Sequence, residues 1–128
     1  MNDLPDDVRR FLTGNISSVA QLEVLLLLRS NRDQAWSAEE VGRALYTVPE
    51  MMAAQLADLE AKGLLELTDA SQPCYRYRPR LDELDAMVGR LAELYKQRRV
   101  AVISLMYAEP ADKSRSFADA FRIRKEDQ

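Results

Sequence analysis

Arg76, Arg78 and Arg80 fall within five residues, "RYRPR", and their type and spacing suit one chemistry: holding the phosphates of a polyanion. Side chains alternate along a strand, so "CYRYR" (74–78) sends Arg76 and Arg78 to one face and Tyr75 and Tyr77 to the other. The tyrosines are expected to face a core rather than to stack on bases. The arginines have a second use, since charged residues also protect an exposed sheet edge from pairing. Both uses stay open at this point.

Other chemistries lack their residues. The 128-residue chain contains no histidine and one cysteine, Cys74. The commonest general base is therefore missing, and a zinc site of imidazoles and thiolates cannot be built. Gly14, Gly42, Gly63 and Gly89 are scattered, so no glycine-rich loop cradles a phosphate. No Ser-x-x-Lys or Gly-x-Ser-x-Gly pattern marks a serine nucleophile. Neither an enzyme, a metal nor a cofactor is expected.

The longest apolar run, Val24 to Leu28, is far shorter than the roughly 20 residues that span a bilayer. The acidic start, "MNDLPDD", has no apolar signal core. A cytoplasmic setting is expected, on the nucleoid if the chain binds DNA. Net charge is −3, which argues against indiscriminate nucleic-acid binding and makes the distribution of charge decisive.

The elements that must position the arginines can be read in order. Pro5 with Asp6 and Asp7 fits a first helical turn, and Thr13-Gly14-Asn15 ends that helix. Ser17 or Ser18 caps a second helix running to about Arg29, apolar on every side from Val24 to Leu28 and hence central to a core. Ser37 and Glu40 form a capping box, and Thr47 with Glu50 repeats the pattern. Val41, Ala44 and Leu45 should be buried on the first of these helices, and Met52, Leu56 and Leu59 on the second. Gly63 stops that second helix, and Tyr46-Thr47 makes the turn between the two. Leu64 to Thr68 and Cys74 to Arg78 read as two strands around the turn "DASQP".

From Leu81 the residues Leu84, Val88, Leu91, Tyr95, Arg98, Val102 and Leu105 recur by threes and fours, a heptad seam that is imperfect at Arg98. As one helix to Tyr107 the segment would reach about 40 Å. The β-branched Val100, Val102 and Ile103 leave 100–107 open between helix and strand.

Helix, capped helix, capped helix and two-stranded wing over residues 16–80 resemble the winged helix-turn-helix domain of bacterial MarR-like and PadR-like regulators. "LADLEAKGLLEL" (Leu56 to Leu67) carries the likeness most specifically, and "CYRYRP" is similar to the return strand of such wings. The resemblance implies a mainly α fold: an N-terminal helix in 1–15, a winged helix-turn-helix domain with a two-stranded wing in 16–80, a long C-terminal dimerisation helix in 81–108, and a tail in 109–128.

It also implies a homodimer on double-stranded DNA that regulates transcription. Aligned on the Gly-Leu passage, the base-facing positions fall on Thr47, Glu50, Met51, Ala54 and Gln55, with Pro49 and Ala53 beside them. Only Gln55 has the bidentate amide suited to adenine; Glu50 could accept from a cytosine amine. Arg76, Arg78 and Arg80 would sit on the wing, and Arg43 where the preceding helix crosses a phosphate strand. Leu84, Val88, Leu91, Tyr95 and Val102 would line the dimer seam. The reading helix departs from the family in carrying no Arg or Lys on that face. The alternative is therefore a winged-helix adaptor that binds protein through the Met51 and Ala54 surface and through a tail motif of Phe117 and Phe121 flanked by cations.

Overall fold

The computed structural model describes residues 4–108. The chain divides into two compact units, Ala20–Gly89 and the residues on either side of it. No single described helix is long and apolar enough to cross a membrane.

In the larger unit, α2 (Val19–Ser30) buries Leu22, Val24, Leu25 and Leu28 completely, as its all-round apolar middle requires. The strand β1 (Trp36–Ser37) leads into α3 (Ala38–Leu45), where the Ser37 and Glu40 capping box is fully formed: Glu40 N–H donates to Ser37 Oγ at 3.1 Å, and Ser37 N–H to Glu40 Oε1 at 2.9 Å. The second expected box is absent. α4 (Pro49–Ala61) starts with Pro49 at its first position, which makes Val48 the N-cap, and Val48 has no side-chain acceptor to offer. Thr47 is instead spent on the turn, its N–H donating to Gly42 O at 2.9 Å. Ala44, expected in the core, is exposed; Val41 and Gly42 are the buried positions of α3.

Met52, Leu56 and Leu59 face inward on α4, and Gly63, at φ +83°, stops it as expected. Leu64 N–H closes the last turn on Leu59 O at 3.1 Å. The wing consists of β2 (Leu65–Leu67) and β3 (Cys74–Tyr77), antiparallel, with Glu66 opposite Arg76 and Leu67 opposite Tyr75. β1 adds a third strand on the other side of β3, pairing Trp36 with Tyr75. A two-residue strand leaves no alternation to read, and Ser37 is legible only as a cap. In the wing turn, Asp69 Oδ1 accepts from Ser71 Oγ at 2.8 Å and from Ser71 N–H at 3.0 Å, which holds the Asp69 carboxyl below its ordinary range.

Two polar pairs tie the unit together. Fully buried Gln21 donates from Nε2 to Asp58 Oδ2 at 2.8 Å, and Lys62 Nζ meets the same oxygen at 2.9 Å. Tyr77 is buried, and its hydroxyl donates to Asp85 Oδ1 at 2.8 Å. Burial, then the Asp85 hydrogen bond, push the phenol well above its ordinary value. Arg32 lies over the Tyr77 ring, 5.0 Å from its centre, and 3.5 Å from Asp85.

The smaller unit contains α1 (Asp6–Asn15), whose Val8, Phe11 and Leu12 are buried, packed on α6 (Arg99–Ala108). Asp7 takes a bidentate hydrogen bond from Arg90, with Nη2 to Oδ1 at 3.1 Å. Arg90 lies on α5 (Asp82–Gln97). The single helix expected over 81–107 is thus two helices, and the stretch 100–107 is helical. The break falls at Arg98. Arg98 is exposed there, and its backbone keeps a hydrogen bond on each side, its N–H donating to Leu94 O at 2.6 Å and its carbonyl accepting from Val102 N–H at 3.1 Å.

Val88, Leu91 and Val102 have no exposed surface and Tyr95 is 8% exposed. Leu84 alone keeps partial exposure. The tail and its Phe117 and Phe121 lie outside the described residues.

Candidate nucleic-acid interface

The helix-turn-helix depends on a missing side chain. A Cβ on Gly42 would sit 2.7 Å from Thr47 O, closer than real Cβ atoms come to anything. Glycine therefore lets the turn fold back on α3 and sets α4 across it. The turn is completed by Tyr46 in the left-handed region (φ 59°, ψ 48°), the only non-glycine with positive φ among the described residues. The residue is 95% exposed.

Beyond the turn, α4 offers a continuous outer face. Glu50, Ala53 and Ala54 are exposed, Met51 is 55% exposed, and Thr47 and Gln55 are half-buried. The five positions expected to face bases thus lie together on accessible surface. Val48, 52% exposed, and Tyr46 extend this surface past the helix start. Among the described residues the face carries one charge, the Glu50 carboxylate, and no cation. Lys62 at the far end of α4 is committed to Asp58. Arg43 is exposed one turn before Tyr46 on α3, with Glu39 one turn before it.

The wing holds the other cations, and here the structure adds a residue that the sequence reading passed over. Glu66, opposite Arg76 in the ladder, places Oε1 3.5 Å from Arg76 Nη2 and 3.7 Å from Arg78 Nη1. That oxygen is buried and makes no hydrogen bond among the described residues. Arg76 and Arg78 do share a face, as alternation requires, and that face includes their own counterion. Arg80 N–H donates to Gly63 O at 2.8 Å, and its side chain lies against Gly63, open to solvent. Arg78 and Arg80 line one shallow groove with Glu60 and Glu66. Among the described residues, no three His, Cys, Asp or Glu side chains are placed to hold a metal ion.

No protein-family model matches this chain, and no curated protein does. Solved structures do. Wild-type MarR from E. coli, in its apo form, is 16% identical, covers 90% of this chain and 83% of its own, and superposes with a TM-score of 0.52. A MarR family protein from Bacillus stearothermophilus is 15% identical over 94% of this chain and 81% of its own, at 0.48. The F27L mutant of S. aureus MepR, bound to an oligodeoxyribonucleotide, is 15% identical over 86% and 79%, also at 0.48. The likeness to E. coli MarR is one of fold: the chain is a mainly helical winged helix-turn-helix of the MarR type.

Proposed function

We propose that this chain is a winged helix-turn-helix transcriptional regulator that binds duplex DNA through α4 and the wing. The observation that carries the reading is the outer face of α4. A helix set across its predecessor by Gly42 leaves Glu50, Met51 and Ala54 uncovered and Gln55 half-buried beside them, on the same unit as Arg43, Arg76, Arg78 and Arg80. In this reading arginines hold phosphates and fix the position of the protein, while Gln55 and small apolar contacts read bases. Glu50 has no capping role to occupy it and is available to a cytosine amine. With so few cations, binding to arbitrary sequences is expected to be weak and to fall as salt rises.

The reading includes a homodimer. Since Val88, Leu91 and Val102 of the heptad seam have no exposed surface, the pairing surface is assigned to the outer side of α6. Val100 and Tyr107 are 77% and 78% exposed there, with Ile103 half-buried between them. Their spacing of three and four residues puts all three on one stripe.

Titration with a random-sequence duplex at low and at moderate salt tests the DNA reading. Binding that weakens with salt supports it. Absence of binding at low salt contradicts it and favours a protein-docking module, whose motif would be the uncharged exposed cluster of Tyr46, Val48 and Met51.

A further inference from the structure

We infer that Glu66 is a specificity-determining residue that holds the wing arginines away from phosphate and so suppresses binding to arbitrary duplex DNA. This rests on the DNA-binding reading above and deepens it.

Three observations carry the inference. First, the ladder fixes Glu66 directly across from Arg76, and Arg78 is two residues further along the same strand face, so one carboxylate serves both guanidinium groups. Second, both ion pairs converge on a single oxygen, Oε1, at 3.5 and 3.7 Å, and that oxygen is covered while making no hydrogen bond among the described residues. A carboxylate kept only to quiet a strand edge has no need to draw two cations to one oxygen. Third, the remaining charges nearby oppose one another: Arg78 and Arg80 share their groove with Glu60 and Glu66.

A phosphate entering the wing competes with Glu66 for both arginines. That competition weakens every phosphate contact alike, whatever the sequence, and leaves the hydrogen bonds of α4 to bases untouched. Glu66 therefore acts through Arg76 and Arg78, as a positioning residue, and raises the ratio of sequence-dependent to sequence-independent binding.

The test is a double-mutant cycle on the full chain, read by titration with a random-sequence duplex over a range of salt. Glu66→Gln should raise affinity roughly threefold to tenfold, the range of one or two surface ion pairs released. It should also steepen the logarithmic salt dependence by up to about 0.9 for each arginine freed. In the Arg76→Ala, Arg78→Ala background, Glu66→Gln should have no such effect. An equal gain in both backgrounds overturns the inference, since it would reflect only the removal of a negative charge. Wild type and Glu66→Gln that bind with the same affinity and salt dependence overturn it too, while leaving the DNA-binding reading in place. If neither binds at low salt, both fall together.

Discussion

Thr47 carries its carbonyl oxygen to within 2.7 Å of where a Cβ on Gly42 would stand. This contact fixes how α3 and α4 cross. Gly42→Ala must push backbone against backbone, and neither side can yield without moving α4. Overpacking of this kind costs about 1–3 kcal/mol. Urea denaturation should report that loss, and duplex affinity should fall further than stability alone explains. A variant as stable as wild type would mean the turn can open freely.

Tyr46 predicts the opposite sign. Its backbone is left-handed while the residue is 95% exposed. Tyr46→Gly removes the strain of roughly 1–2 kcal/mol and returns part of it as chain entropy. A net gain of up to about 1 kcal/mol should appear as a melting temperature a few degrees higher. A lower melting temperature would show that the ring stabilises the turn in a way its exposure hides.

Asp7 should set part of the acid limb of stability. The Arg90 guanidinium, hydrogen-bonded to it, holds its carboxyl below the ordinary 3.8. A group depressed in the folded state stabilises fully above its unfolded value and loses that contribution as pH falls through the folded one. Asp7→Asn should therefore lower the urea midpoint at pH 7 and leave it closer to wild type near pH 3. Equal losses at both values would show that the pair's charge is irrelevant.

Much of this was legible in the residues. Ser37 and Glu40 announce α3, Gly63 announces the end of α4, and the apolar positions Met52, Leu56 and Leu59 announce its buried face. The Glu66 and Arg76 pairing was within reach: both lie five residues from Ser71, the centre of the wing turn, and an antiparallel register follows from that centre. What escaped has physical reasons. Pro49 moved the α4 cap from Thr47 to Val48, because its fixed φ suits the first helical position. Tyr46 is an improbable residue for a left-handed turn, so nothing local points to it. Arg98 reads as a blemish in a heptad, and a spacing of threes and fours does not show that the helix is interrupted there.

Gln55 carries the only amide on the outer face of α4 that can pair with adenine through two hydrogen bonds. Such a pair discriminates by about 1–3 kcal/mol. A site enriched by wild-type protein from a random duplex pool should lose most of its advantage over a scrambled site with Gln55→Ala, while affinity for the scrambled site changes little. Retained discrimination would move base reading away from Gln55.

The claim that α4 and the wing together are the DNA surface is tested most directly by amide hydrogen exchange, with and without a saturating random-sequence duplex at low salt. The expected result is slower exchange across the turn and α4, from Arg43 to Gln55, and across the wing from Glu66 to Arg80, with α1 unchanged. Protection confined to other segments, from a duplex that demonstrably binds, would contradict the claim.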